Sequence, residues 1–421
     1  MKNFVEELTW RGMIHTMMPG TEEQLMKEQT SAYVGIDPTA DSLHIGHLVS
    51  IMMLKHFQNC GHKPYALIGG ATGMIGDPSM KSAERNLLDE QTLNHNIAAI
   101  KKQLSKFLDF DSDMPNAAVL VNNYDWMKDF SFLSFIRDIG KHITVNYMMS
   151  KDSVKKRLTG EAREGMSFTE FSYQLVQGYD FLYLNEHKNC KLQMGGSDQW
   201  GNITTGVDLI RKVLEKPAYA FTMPLILDST GKKFGKSEGN ALWLNKEKTS
   251  AYEIYQYLIN SDDSKVLEYL KVFTFLSKEQ IEEVYAKQLE APETRIAQKT
   301  LAWEVVKDIH GKEEADNAVL VSEKLFKGDF NGLSVKDIKS GMRSVPSFDL
   351  TEEGNIVDVL VNNKIASSKR EAREFIKGNA ISVNGNIIND ETATITKDMA
   401  IEGEIIIFRR GKKKYFIGNV K

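Results

Sequence analysis

The first part of the chain predicts an α/β fold built on a Rossmann-type parallel sheet, and three observations carry that expectation. Short β-rich runs, Ala32 to Ile36, Tyr65 to Ile68, Ala117 to Val121 and Leu192 to Met194, alternate with longer helical patterns, as parallel strands joined by crossover helices require. The first, second and fourth runs lead into Gly-containing turns followed by helical periodicity. At 421 residues and 42% hydrophobic content the chain exceeds one ordinary core, so further domains should follow. Open α/β sheets bind ligands beyond the carboxyl ends of their strands, which puts the chemistry near Gly35, Gly69 and Gly195.

The expected division is an α/β domain over 1–222, a helical domain over 223–327, a linker over 328–354 and a small α+β domain over 355–421. From Thr249 to Leu325 the pattern is helical without strands and includes Ala251 to Ile259 and Arg295 to Ile309. Gly328 to Gly354 mixes Gly, Ser, Pro and Asp with weak periodicity and reads as a linker with at most a short ordered piece. Beyond it, a helix should open at Ser367 or Ser368 and stop near Gly378. Asn384-Gly385 is a hairpin turn leading to a strand from Glu404 to Phe408.

Net charge is −4 but unevenly placed. Lys364 to Lys421 carries +5, leaving −9 on the rest, so an acidic body bears a basic tail. Cys60 and Cys190 are far apart and outside any C-x-x-C spacing, which speaks against a disulfide framework or a structural zinc site. Apolar stretches are short and broken by charge, and Glu6, Glu7 and Arg11 stand where a signal peptide needs an apolar core. The expectation is a cytoplasmic protein with no membrane partner.

Two motifs point to nucleotide chemistry. Asp37 to His47 follows a strand and opens the apolar helical run Leu48 to Phe57; within it His44 and His47 share one face. A helix start offers free N–H groups and partial positive charge to phosphate, and Gly46 lets a flat base approach the backbone. The second motif, Gly231-Lys232-Lys233-Phe234-Gly235-Lys236-Ser237-Glu238-Gly239, ends in Gly-Lys-Ser. It is not a P-loop, because Thr230 stands where that motif needs its first Gly. It reads instead as a mobile loop that brings ammonium groups to a triphosphate.

His44-Ile45-Gly46-His47 and Lys233-Phe234-Gly235-Lys236-Ser237, in that order on an α/β background, resemble the paired signatures of class I aminoacyl-tRNA synthetases. Phe and Gly replace the commoner Met and Ser of the second signature, a variation similar to bacterial tyrosine enzymes. Thr169 to Leu184 reads as a helix with Tyr173, Gln177 and Asp180 on one face. Tyr173 to Asp180 resembles the tyrosine-pocket helix of that family, and Tyr33 to Thr39 its first strand.

The resemblance implies that Tyr33 and Asp180 bond the substrate phenol while Tyr173 and Gln177 hold its ammonium. Gly69 to Pro78 resembles the floor of the site, with Asp77 near the ammonium. Gly195 to Asn202 resembles the segment that contacts ribose and tyrosine through Gly196, Asp198 and Gln199. Gly35, Asp37, Thr39 and Gly46 would lie against ATP or the adenylate. His44, His47, Lys233 and Lys236 would serve the phosphates with Ser237 shaping the loop, while Lys81 and Arg85 would reach the pyrophosphate. Val34 sits where some relatives have Cys.

The implied partners are L-tyrosine, ATP and tRNA(Tyr), with Mg2+ accompanying the phosphates and no metal site of the protein's own. A homodimer, with its surface near Asn122 to Asn146, is implied by resemblance alone. The tail resembles a small RNA-binding module of a ribosomal protein on Ser367 to Arg373, Gly378, Val383 to Gly385 and Arg409 to Tyr415, and its basic charge suits phosphate. A chain ending near Gly354 would then lose the tail while cutting few core contacts. Two rivals remain open at this point: a nucleotidylyltransferase sharing the His-x-Gly-His turn and a nonenzymatic RNA-binding relative. Within the family the tryptophan enzyme is nearest, but it has no need of Asp180.

Overall fold

The computed structural model describes residues 2–77, 89–158, 165–237, 240–343, 345–411 and 414–421. The chain forms two compact units, one of Met1–Thr249 with Asn260–Leu301, the other of Ser250–Ile259 with Ala302–Lys421.

The first unit is organised by a six-stranded sheet in the order Thr16–Met17, Tyr219–Met223, Cys190–Gly196, Ser31–Ile36, Lys63–Ile68, Val119–Asn122. All neighbours are parallel except the first pair. Its central strands are nearly continuous apolar runs because both faces are covered, and Ala32, Val34, Ala66 and Ile68 are buried. Tyr219–Met223 and the two-residue edge Thr16–Met17 add to the four strands expected from sequence.

The Leu48–Asn59 helix buries Leu48, Ile51, Met52, Leu54 and Phe57. It is preceded by one 3-10 turn, Ile45–His47, so the paired histidines stand on a tight turn before the α-helix proper. The Phe168–Lys188 helix starts at Ser167, whose side chain accepts the Glu170 N–H, and ends at left-handed Asn189. It crosses the Trp200–Leu214 helix closely. A Cβ on Gly206 would stand 2.8 Å from that of Phe181, and one on Gly178 3.1 Å from Leu209 Cδ1 and Thr205 Cγ2. The helices Asp263–Phe273 and Lys278–Glu290 complete this unit's helical part.

The second unit joins the Ala251–Ile259, Lys312–Lys327 and Val335–Gly341 helices to a five-stranded sheet in the order Asn386–Ile387, Ile381–Val383, Ile405–Arg410, Lys414–Val420, Ser347–Leu350. The Lys369–Lys377 helix is capped by Ser368 and stops at Gly378. Asn384 and Gly385, both at positive φ, turn Ile381–Val383 back onto Asn386–Ile387. The Ile405–Arg410 strand lies on the opposite side of Ile381–Val383 instead of continuing that hairpin.

Two boundaries read from sequence are corrected here. The 328–354 stretch is not a bare linker: it holds the Val335–Gly341 helix and the Ser347–Leu350 strand, which pairs parallel with Lys414–Val420. Val321, Phe330, Leu333 and Ile338 share one core with Ile405, Ile407 and Ile417. Short elements with few apolar residues carry weak periodicity, so tertiary pairing supplies what the pattern lacks. The helical stretch 223–327 is likewise divided between the two units.

A chain ending at Gly354 therefore keeps one side of this core and loses the other. Burial of each such isoleucine contributes about 1.5–3 kcal/mol. The shortened chain should bind more hydrophobic dye and unfold at lower temperature in calorimetry; matching dye binding and an unchanged midpoint would show that the strands do not cover this core.

Candidate active site

A cavity of about 460 Å3 opens beyond the carboxyl ends of the Ser31–Ile36, Lys63–Ile68 and Cys190–Gly196 strands. Its lining includes Tyr33, Gly35, Asp37, Thr39, His44, Gly46, His47, Asp77, Tyr173, Gln177, Asp180, Gly196, Asp198, Gln199 and Lys233. The structure thus brings these sequence-derived candidates together around one space.

At the base, Asp180 and Tyr33 are each 1% exposed. Asp180 accepts from Asn123 Nδ2 and Trp126 Nε1, both at 2.9 Å. Burial pushes its carboxyl up to about 7 against the pull of those two donors. Among the described residues the buried Tyr33 hydroxyl has no hydrogen-bond partner, and neither has Gln177 Oε1. Burial, then the charge of Asp180, raises the Tyr33 phenol well above its ordinary range.

A chain of polar contacts leads outward. Asn123 Nδ2 also donates to Thr72 Oγ1 at 3.2 Å, Thr72 Oγ1 donates to Asp37 Oδ1 at 2.7 Å, and the Tyr173 hydroxyl donates to Asp37 Oδ2 at 2.9 Å. Gln199 Nε2 donates to Asp77 Oδ2 at 2.7 Å. Gly69 must lack a side chain, because a Cβ there would lie 2.2 Å from both Asp37 Oδ1 and Thr72 Oγ1.

The histidine turn defines its own tautomers. His44 Nδ1 accepts the Gly46 N–H and His47 Nδ1 accepts the His44 N–H, each at 3.1 Å, and the rings stand 3.8 Å apart. With both Nδ1 atoms accepting, the neutral rings carry their protons on Nε2. This turn is joined to the lysine loop through backbone: Ile45 N–H donates to Leu242 C=O at 2.8 Å and Leu242 N–H to Gly235 C=O at 3.3 Å. Gly235 has φ +88°, and a Cβ on it would lie 2.4 Å from Ile45 Cγ2. Lys233 Nζ stands 3.7 Å from Asp198 Oδ2. Burial raises the Asp198 carboxyl, with Lys233 opposing. Lys236–Ser237 pairs as a short strand with Asn240–Ala241. Lys81 and Arg85 lie outside the described residues.

The family model for class I tRNA synthetases (W and Y) matches residues 25–327, and that for the tyrosine–tRNA ligase SYY-like C-terminal domain matches residues 337–418. A tyrosine–tRNA ligase of Parabacteroides distasonis is 57% identical over 99% of this chain and 99% of its own. One from a Bacteroides fragilis strain is 55% identical at the same coverage. The chain belongs to the tyrosine–tRNA ligases. A solved C-terminally truncated mitochondrial tyrosyl-tRNA synthetase of Aspergillus nidulans matches with a TM-score of 0.69 and 33% identity, over 77% of this chain and 94% of that one. As a tyrosine–tRNA ligase, the protein activates tyrosine with ATP and transfers it to tRNA(Tyr).

Within this ligase, sequence reasoning placed Thr72 only within the Gly69 to Pro78 floor segment, without a role of its own, and missed Asn123, Trp126 and Gln193. Asn123 follows the Val119–Asn122 strand directly, so the rule of looking beyond strand ends applied to it. That strand ends without a glycine turn, the feature used to choose among the others. Gln193 lies inside the Cys190–Gly196 strand and lines the cavity, a placement that strand periodicity alone does not single out.

The raised Asp180 carboxyl has a consequence for stability. In the unfolded chain it titrates near the ordinary carboxylate value of about 3.9. Between there and about 7 the folded state keeps a proton that the unfolded state has released, so this group's contribution falls as pH rises through that window. Asp180→Asn has no such proton to lose. Its Tm should decline less than the wild type's between about pH 4 and pH 7 in parallel calorimetric scans; parallel profiles would show that Asp180 titrates normally.

Proposed function

We propose that the cavity is the site where this ligase activates tyrosine, with Tyr33 and Asp180 taking the substrate phenol. The observation that carries this reading is the pair at its base: a buried hydroxyl without a partner among the described residues, beside a buried carboxylate held by two fixed donors. A substrate hydroxyl can donate to Asp180 and accept from Tyr33. Phenylalanine would leave the buried Tyr33 hydroxyl unpaired and give Asp180 no third donor, so it is rejected without a separate editing step; tyrosine-charging enzymes are themselves the reference case for this rule. Tyr173 and Gln177, with Asp77, hold the α-ammonium, and Gln199 fixes Asp77.

Gly35, Asp37, Thr39, Gly46, Gly196 and Asp198 form the ATP and adenylate side. The tyrosine carboxylate attacks the α-phosphate, forming the acyl–phosphate bond and releasing pyrophosphate. It is already ionised and needs no general base. The ligase holds the reactants in line and stabilises charge on the phosphates. Neutral His44 and His47 donate from Nε2; Lys233 and Lys236 supply positive charge, and Ser237 shapes their loop. The family resemblance gives Lys81 and Arg85 a role toward the pyrophosphate. Magnesium would arrive on ATP and neutralise triphosphate charge. Among the described residues no group of three or more His, Cys, Asp or Glu side chains gathers to hold a metal. A terminal ribose hydroxyl of tRNA(Tyr) then attacks the activated carbonyl and AMP leaves.

The second unit's basic strands and helix take tRNA phosphates, a role supported by the +5 charge of Lys364 to Lys421. A homodimer is supported by exposed apolar side chains at Phe132, Leu133, Ile136, Val145 and Met149. No described helix is long and apolar enough to cross a membrane. We place the ligase in the cytoplasm on the ground of its tRNA-charging activity.

The test is amino-acid-dependent ATP–pyrophosphate exchange. The wild type should respond to tyrosine among the standard amino acids. Asp180→Ala should lose tyrosine use while ATP affinity holds. Lys233→Ala should slow adenylate formation by roughly 10²-fold with tyrosine affinity unchanged. Equal loss of tyrosine and ATP affinity in Asp180→Ala, or an unslowed Lys233→Ala, would refute the assignments.

A further inference from the structure

The lysine loop is gripped at its centre. Phe234 lies between Lys233 and Lys236 in sequence and is 5% exposed. Its ring stacks on Phe273 with centroids 4.5 Å apart and planes at 20°, and meets Tyr269 at 4.7 Å and 58°. Tyr269 and Phe273 stand one turn apart on the Asp263–Phe273 helix. The Tyr269 hydroxyl donates to the Leu227 carbonyl at 3.0 Å, on the segment that enters the loop. On its other side the loop leans on the histidine turn through Gly235, as the close approach to Ile45 requires.

The helix that carries the grip is itself fixed. Arg11, 3% exposed, donates to the carbonyls of Lys271, Thr274 and Leu276 at 2.8, 2.9 and 2.8 Å, and pairs with Glu7 at 2.7 Å. The last carbonyls of a helix lack partners within it and favour a cation. Arg11 therefore fixes the end of the helix where Phe273 sits.

We propose that Tyr269 and Phe273 are positioning residues for tyrosine activation: with Phe234 they form an aromatic clasp that sets where the loop lysines stand relative to the His44–His47 turn. Neither residue lines the cavity. Lysine offers a point charge on a flexible stem, so the backbone beneath it decides where that charge dwells. The clasp fixes the residue beside Lys233 and two positions before Lys236. Its loss leaves the loop's connection to the histidine turn but frees its other side. This inference rests on the reading of Lys233 and Lys236 given above.

The test uses the full-length enzyme with Tyr269→Leu, Tyr269→Phe and Phe273→Leu, alone and combined with Lys233→Ala/Lys236→Ala. Single-turnover adenylate formation, tyrosine Kd and Tm are measured for each. Tyr269→Leu and Phe273→Leu should slow adenylate formation on the order of 10-fold at unchanged tyrosine Kd, since misplacing a reacting group by about 1 Å costs up to about 10²-fold. Tyr269→Phe keeps the ring and should retain most of the rate. In the lysine-free background the leucine substitutions should cause no further slowing, because the charges they misplace are gone. A normal rate in Lys233→Ala/Lys236→Ala would refute the reading of the lysines, and the clasp with it. Slow lysine variants beside leucine variants of normal rate would overturn the clasp alone. Leucine variants that lose tyrosine affinity in step with rate, or that slow the lysine-free enzyme equally, would reduce the aromatic trio to a structural core.

Discussion

Asp180 is a carboxylate taken out of water, and the arrangement around it governs much of the cavity end of the first unit. Its compensation comes from Asn123 and Trp126, which stand beyond the Val119–Asn122 strand, while Asp180 itself lies on the Phe168–Lys188 helix. Asn123 also holds Thr72, Thr72 holds Asp37, and Asp37 accepts from Tyr173 on that same helix. The chain of bonds thus leaves the helix, passes the ends of three strands and returns to it two turns away. A buried polar network of this kind is stable only when its members are paired. Among the described residues the Tyr33 hydroxyl and Gln177 oxygen beside it have no partners, and a tyrosine substrate has the groups to meet them.

Close backbone approach is the second constraint. The histidine end of the cavity depends on a turn so tight that both histidines accept backbone N–H groups, which fixes their protons on the outward nitrogen. The lysine loop can meet that turn because Gly235 takes a left-handed conformation and presents no side chain to Ile45. The Phe-Gly pair in this loop has a physical rationale in consequence. Phe234 is large enough to fill the space against Phe273, and Gly235 is small enough to let the backbone come close.

Much of this was legible in the sequence. Strand, glycine turn and helix recur in order, and the two signatures carry recognisable chemistry, so the parallel sheet, the histidine turn and the Tyr173–Gln177–Asp180 face follow from local pattern. Asn123 and Trp126 did not, since their role arises from a helix more than fifty residues away in sequence, and no periodicity encodes that meeting. The Ser347–Leu350 strand escaped for a related reason: four residues with a Pro before them read as loop until Lys414–Val420 pairs with them. Phe234 was visible as a departure from the commoner motif, but its partners Tyr269 and Phe273 look like ordinary core positions of a helix.

The central claim is that a buried phenol and carboxylate, held ready by their neighbours, choose the substrate by its hydroxyl. Titration calorimetry of L-tyrosine and L-phenylalanine into the wild type and Tyr33→Phe tests it most directly. The account predicts that the preference for tyrosine narrows in Tyr33→Phe, because the variant no longer leaves a buried hydroxyl unpaired when phenylalanine binds, while phenylalanine affinity holds or rises. An undiminished preference for tyrosine in Tyr33→Phe would contradict it.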